Sequence, residues 1–290
     1  MIHVTKASGE RVPFEVDKLE DSLKRAGANE DIINHITFTI KDMMYDGIST
    51  QLVYETAFQI LKRSSKLSAA RYSIKKAILN MGPSGYPFEK FIGRILHFHG
   101  FKTEVGVRLE GKCVTHEIDV IAEKDDAFYL VECKFHNQMG KKSDVKTPLY
   151  IQSRYLDVVE HWSKLPGHEN KKHQGWIVTN TRFTDDAQKY GTCIGLRMLS
   201  WDYPRKNNLR HFIDRAALHP ITCLTNLKQA EVSRIMDEDI LLCRELIQYP
   251  DILQKVGVPK RRIKDIISEA EIISHTPRFL NGDPEENQSN

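Results

Sequence analysis

The segment 115–135, THEIDVIAEKDDAFYLVECKF, limits what this chain can fold into more than any other stretch. It reads as two apolar strands joined by a charged turn. A turn at 124–127 sets Glu123 opposite Phe128. Counting back, Asp119 falls opposite Glu132 and Glu117 opposite Lys134. Side chains two apart on a strand share a face. Ile118, Val120 and Ala122 then meet Cys133, Val131 and Tyr129 on a core face. The other face gathers Asp119, Glu132 and Lys134 around Ile121 and Leu130. Two carboxylates held this close raise one another's pKa unless a cation joins them. Hard oxygen ligands on neighbouring strands suit Mg²⁺, and a lysine beside them suits a negatively charged substrate or an attacking water. The competing reading is the solvated face of an edge strand, where such charges are common.

Ile118-Asp119-Val120, a short hairpin and then Val131-Glu132-Cys133-Lys134 resemble the core of the PD-(D/E)XK nucleases, the restriction-endonuclease-like family. Ile118 stands where that family usually has Pro. Upstream, GYPFEKFIGRILHFHGF (85–101) spaces Phe88, Phe91, Ile92, Ile95 and Leu96 as a helix, with Pro87 in its first turn and Gly100 at its end. A strand follows over 102–109, so helix, strand, Asp strand and Glu-x-Lys strand come in the family's order. The helix glutamate, Glu89, resembles that of the Mrr-type branch; the other reading of Glu89 is a first-turn acid favoured by the helix dipole. The resemblance implies that Asp119 and Glu132 hold Mg²⁺ with the Cys133 carbonyl. It implies that Lys134 positions or deprotonates the attacking water and that Glu89 completes the metal shell. It gives Gln152, on a helix over 150–162, the task of orienting substrate or the metal's water. Tyr155 is one residue short of the Gln-x-x-x-Tyr spacing of the RecB-type branch and reads as helix surface. The buried strand 175–179 and the segment 180–187 resemble the Thr-Asn-x-x-Phe-Thr…Ala stretch of Mrr-type domains, with Thr184 as a helix cap. The likeness covers 82–215.

Residues 1–81 carry a separate pattern. HVTKASGERVPFEVDKLEDSLKRAG opens with two short strands around Ser8-Gly9 and a helix from about Asp17. Helical periodicity follows over 32–45, 52–64 and 68–79. Val4-x-Lys6, Gly9, Phe14, Asp17-Lys18-Leu19, Ser22-Leu23 and Ala70-Arg71-Tyr72 resemble the ATP-cone, the small nucleotide-sensing domain of ribonucleotide reductases and of a related repressor. The resemblance implies a regulatory ATP or dATP whose triphosphate is held by Lys6 and Lys18. Ala7 stands where the family often has Arg. Two lysines at a hairpin and a helix start are a reasonable polyphosphate cradle; the other reading is a cone kept for assembly alone. No Gly-x-x-x-x-Gly-Lys-Ser/Thr loop occurs, so ATP is a regulator here and not a fuel. No long alternating barrel and no paired redox cysteines follow the cone, which excludes a reductase fragment.

From about His219 the pattern is helical again. One helix begins near Tyr249-Pro250 and stops at Val256-Gly257-Val258-Pro259, and another covers 260–273. This apolar-Gly-apolar turn resembles a helix-hairpin-helix, which offers backbone N–H groups to a DNA phosphate; Lys260, Arg261 and Lys264 would assist. The other reading is a module for oligomerisation or docking. The polar tail 277–290 is expected to be disordered. The expected architecture is therefore multidomain α+β. A helical ATP-cone with an N-terminal β-hairpin (1–81) precedes a restriction-endonuclease-like α/β core (82–217), an all-α module (218–276) and the tail.

The rest of the chain narrows the function classes. No run of about eighteen apolar residues is present, so no membrane span is expected, and the start lacks an apolar signal core. Five scattered cysteines without a Cys-x-x-Cys pair indicate neither a zinc site nor a disulfide framework, and they fit a reducing cytoplasm. A net charge of +3 is too mild to announce nucleic acid by itself. DNA as partner rests on the resemblance, with local clusters such as Lys141-Lys142 adding weight. Three functions compete: a nucleotide-gated Mg²⁺-dependent DNA endonuclease of the restriction type, a junction resolvase on the same core, and a nucleotide-sensing DNA-binding regulator with an inactive nuclease fold. Retention of Asp119, Glu132 and Lys134 together speaks against the last. A homodimer or tetramer is expected, because two sites most simply make a double-strand cut.

Overall fold

The computed structural model describes residues 2–168 and 170–274. The chain opens with a hairpin, β1 (His3–Thr5) and β2 (Arg11–Pro13), which turns at Gly9 with φ of 84°. A side chain there would be strained, whereas glycine adopts this backbone freely. Helices α1 (Val16–Arg25) and α2 (Glu30–Met43) follow, then β3 (Ile48–Ser49), α3 (Thr50–Ser64) and α4 (Lys66–Leu79). β3 runs parallel to β1 and completes a three-stranded sheet. Two residues are too few to leave a period in the sequence, and the strand was not expected. Asn29, Ser49 and Ser65 cap α2, α3 and α4 by accepting from the N–H groups of Ile32, Leu52 and Ser68. Leu23, Ile36, Ile40 and Leu61 pack fully buried beneath Val4 and Ile48.

The second unit is built on one mixed sheet. Helix α5 (Tyr86–Phe98) leads into β4 (Lys102–Glu110), β5 (Thr115–Lys124) and β6 (Ala127–Lys134). After β7 (Lys142–Ser143) come α6 (Lys146–Trp162), β8 (Lys172–Thr179), β9 (Arg182–Phe183), α7 (Asp185–Cys193) and β10 (Arg197–Leu199). The strand order is β10-β8-β6-β5-β4, antiparallel from β4 to β6 and parallel from β6 to β10. β5 and β6 are both interior strands, which removes the edge-strand reading of their charges. Glu123 lies opposite Phe128, as the turn position requires. α5 buries Phe88, Phe91, Ile92 and Leu96 against one face, where Val120, Ala122, Val131 and Cys133 point. α6 covers the other through Val158 and Trp162.

One expected placement fails. Strict alternation puts Ile118 with Val120, yet Ile118 packs with Ile121, Leu130 and Val158 under α6, while Val120 faces α5. The same exchange occurs on β4, where Val105 joins the α5 side and Val107 and Leu109 the α6 side. Gly106, with φ of 67°, lies between the pairs Val105↔Val120 and Val107↔Ile118, across from Asp119. A left-handed residue in a strand turns the chain out of register with its pleat, so the faces swap there.

Helix α8 (Leu209–Ala216), a 3₁₀ turn (Ile221–Cys223), α9 (Gln229–Asp237), α10 (Cys243–Gln248), α11 (Asp251–Lys255) and α12 (Lys260–Ser274) complete the chain. The helix pair around Gly257, with φ of 87°, stands where the sequence puts it. Ala70, Ile74 and Ile78 of α4, the α5 face of the sheet, and Leu246 and Ile266 of the last helices belong to one continuous apolar core. α4 is thus a shared wall between the cone and everything after it. Among the described residues no helix is long and apolar enough to cross a membrane. The tail 277–290 lies outside the described residues.

Candidate active site

The end of β6 is where β5 and β6 part. Their ladder closes at Val120↔Val131, so Asp119 and Glu132 are not a direct cross-strand pair, nor are Glu117 and Lys134. Instead Asp119 reaches across, and its Oδ2 accepts the Cys133 N–H at 2.7 Å. The face swap at Gly106 is what releases Asp119 from the ladder. Glu132, buried at 7% exposure, is held at both oxygens: Lys134 Nζ lies 2.7 Å from Oε1 and Arg154 Nη1 2.7 Å from Oε2. Arg154, on α6, also donates to the Glu117 carbonyl.

The strand end is braced from β8. Thr179 Oγ1 donates to the Lys134 carbonyl at 2.8 Å. The buried Asn180 side chain accepts from the His136 N–H at 2.9 Å and donates to the His136 carbonyl at 2.8 Å. This gives a physical task to the Thr-Asn stretch singled out in the sequence. On the other side, Phe135 packs near Phe88 with ring centroids 5.7 Å apart, and the Gly85 backbone lies against both Glu89 and Phe135. α5 therefore delivers Glu89 to the same strand end.

Electrostatics tie the acids together. Burial, and then the charges of Asp119, Glu132 and Glu117, push the Glu89 carboxyl up to about 7, with Lys134 pulling the other way. Burial and the Glu132 charge push Asp119 up as well; the Cys133 N–H, Lys134 and Arg154 resist. A cluster of carboxylates that disfavours its own ionisation is one that a divalent cation would relieve. Among the described residues no three His, Cys, Asp or Glu side chains form a ready metal cage. Mg²⁺ does not need one, since it keeps several waters and takes one or two carboxylates. Asp119, Glu132 and the Cys133 carbonyl fit that donor set.

Arg154 was not among the residues expected here. A signal for it exists: it sits within the stripe Ile151, Tyr155, Val158 and Trp162 that α6 buries, where a charge needs a partner. The Oε1 of Gln152 is buried without a hydrogen-bond partner. Tyr155 is packing, with its hydroxyl donating to the His173 carbonyl at 2.8 Å. Lys6 and Lys18 are exposed, each paired with its own neighbour, Glu10 at 2.9 Å and Glu15 at 2.7 Å. Lys260, Arg261 and Lys264 are all exposed at the start of α12. Arg262 turns inward to Glu231 and the Asn226 carbonyl.

Comparison with known proteins divides the chain in the same way. An ATP cone domain matches residues 2–77, a restriction endonuclease domain 81–202, and an AF1548-like C-terminal domain 219–274. An uncharacterized protein of Archaeoglobus fulgidus is 33% identical over 180 residues, which is 62% of this chain and 97% of that protein. Among solved structures, the crystal structure of a protein of unknown function, AF1548, is similar with a TM-score of 0.54 at 30% identity, covering 69% of this chain and 100% of that one.

Proposed function

From a chain that belongs to the AF1548-like family, with an ATP cone and a restriction-endonuclease domain ahead of its C-terminal domain, we infer a nuclease that hydrolyses DNA phosphodiester bonds with Mg²⁺ under the control of ATP or dATP. The observation that carries this reading is the meeting of Asp119, Glu132 and Lys134 at one strand end, with Glu89 within their field.

Asp119 and Glu132, with the Cys133 carbonyl, would hold the ion. Mg²⁺ bound there supplies positive charge to the phosphate oxygens and lowers the pKa of water. Arg154 fixes the second oxygen of Glu132 and so sets the orientation of that carboxylate. Lys134 is the mobile partner: one-third exposed, it can turn from Glu132 toward an attacking water or toward charge developing on the phosphate. Glu89 completes the acidic shell, directly or through water. Gln152 keeps a free acceptor for substrate or water. Lys260, Arg261 and Lys264 add a grip on the DNA backbone, and Lys6 and Lys18 a grip on the regulatory triphosphate.

The test incubates the full chain with Mg²⁺ and plasmid, methylated, junction and single-stranded DNA, with and without ATP or dATP. Glu132→Ala and Lys134→Ala are expected to lose about a hundredfold or more of the cleavage rate while DNA binding persists. Mg²⁺-dependent cutting that survives both substitutions removes the site. The substrates cut separate restriction-type action from junction resolution. DNA binding with no cutting on any substrate leaves the regulator reading in place of the enzyme.

A further inference from the structure

The seam between the cone and the nuclease unit encloses a cavity of about 520 Å³, within the roughly 300–1,000 Å³ of small-ligand pockets. The cone contributes Arg25 from α1 and Arg71, Lys75 and Lys76 from α4, and α8 contributes Arg210. Among the described residues no carboxylate lines it. Counter-charges stand outside the lining: Asp214 is 3.3 Å from Arg210 and also acts on Arg71, Glu55 is 3.9 Å from Lys76, Asp21 acts on Arg25 and Asp202 on Lys75.

Part of this buried charge lacks a hydrogen-bond partner. Nε and Nη2 of Arg71 are buried and donate to nothing. Burial lowers the pKa of Lys75 and of Arg25, and the charges of Arg182 and Arg210, respectively, lower them further, against the weaker opposing pull of Asp202 and Asp21. Burying cations side by side costs free energy that an anion among them would relieve. The remaining wall is aromatic. Tyr54 and Tyr72 stack with centroids 5.1 Å apart, and Trp201, from the nuclease side, lies 6.0 Å from Lys75 Nζ. Flat rings beside concentrated positive charge suit a heteroaromatic base carrying phosphates.

We propose that this cavity is a nucleoside-polyphosphate site shared by both domains, with Arg71, Lys75 and Arg210 on the phosphates and Trp201 as a wall for the base. The proposal rests on the nucleotide control inferred above and locates it at the seam; neither Lys6 nor Lys18 lines the cavity. It also supplies a route for control. Met139 lines the same cavity only five residues beyond Lys134. Its neighbour Gly140 reaches the cone hairpin, where a Cβ on it would stand 3.8 Å from that of Ser8. Occupancy therefore bears on the loop that leaves the strand carrying Glu132 and Lys134.

Calorimetry on the full chain with ATP, dATP, tripolyphosphate and adenosine tests the site. Arg210→Gln and Trp201→Ala are each expected to weaken ATP by roughly tenfold or more, the scale of one charge-assisted bond, with Arg210→Gln also weakening tripolyphosphate. Hydrogen exchange on the unaltered protein gives an arm that no folding defect can spoil. ATP should protect α8 as well as α1 and α4. Wild type that binds no nucleotide ends the nucleotide reading and this site together. ATP binding that falls with Lys18→Ala but not with Arg210→Gln or Trp201→Ala, or protection confined to the cone, leaves nucleotide control standing and overturns the shared site.

Discussion

At the Asp157 carboxylate, three partners from β5 and the loop before it converge. Its Oδ1 accepts the Cys113 N–H at 2.8 Å, and its Oδ2 lies 2.7 Å from His116 Nε2 and 3.3 Å from the Val114 nitrogen. Gly111 fits beneath because a Cβ there would run into the same carboxylate. These bonds, His116 first, draw the Asp157 pKa down to about 2. An acid whose pKa is depressed by folding stabilises the folded state above its unfolded value, near 4, and loses that contribution as pH falls through the folded one. Asp157→Asn is therefore expected to melt lower than wild type at pH 7, with the gap narrowing as pH drops from about 4 toward 2. Melting curves across that range check it, and a gap that stays constant with pH would show that the charge is not what matters. This carboxylate went unnoticed in the sequence, as did Arg154, for a common reason. Both act through tertiary partners, Asp157 on β5 and the loop before it and Arg154 on β5 and β6. Although the buried stripe of α6 marks Arg154 as a charge in need of a partner, nothing within the helix says which partner it finds. Asp119, Glu132 and Lys134 could be placed near one another because a short turn joins their two strands, although the direct pairing it led one to expect is lost beyond Val120↔Val131.

Between residue and molecule, the decisive contact is α5 against the sheet. Gly93 lies where the helix comes nearest to β4, and a Cβ there would stand 2.8 Å from Val105 Cγ2. In an exposed helix interior Gly→Ala stabilises by roughly 0.5–1 kcal/mol. Here the added methyl overpacks the core, which costs about 1–3 kcal/mol. Gly93→Ala is thus expected to lower the urea midpoint, and an unchanged or raised midpoint would mean that α5 can shift without cost. Since α5 also carries Glu89, such a shift would move that acid away from the strand end. Elements of this length were readable: the periods of α1 to α5, the β5–β6 turn and the helix pair at Gly257 all stand close to where periodicity and turn residues put them. What was not readable was the twist inside β4 and β5. Strict period-two counting assumes a regular pleat, and the left-handed Gly106 breaks it, sending Ile118 to the far face and freeing Asp119 from the ladder. Such a break is invisible to alternation, although a glycine within an apolar strand is its one sequence mark.

Across the whole molecule, the three units are cross-braced and not strung on linkers. α4 of the cone is buried in the core that the sheet and the C-terminal helices share. Arg94 of α5 reaches Asp239 at 2.8 Å and also engages Glu245, and the buried Glu269 of α12 accepts from the Thr225 and Asn226 N–H groups at 2.9 and 3.1 Å. Within this frame the start of α12 stands out electrostatically. Lys260, Arg261 and Lys264 are exposed on a helix N-terminus, where the backbone dipole already disfavours cations. Arg262, on the same turn, is consumed by Glu231 at 2.6 Å and does not add to them. Positive charge gathered against the dipole is an arrangement that a polyanion rewards. If DNA is that polyanion, each phosphate contact releases counterions, and the slope of log K against log salt carries about 0.9 per contact. Replacing Lys260, Arg261 and Lys264 together by Ala is expected to flatten that slope by roughly 2 to 3 and to weaken all DNA sequences alike, with melting unchanged because all three side chains lie in solvent. Binding measured from low to high salt in both proteins decides it. Equal slopes would mean that these cations touch no phosphate, and the C-terminal helices would then serve only to hold α4 and α5 in register with the site.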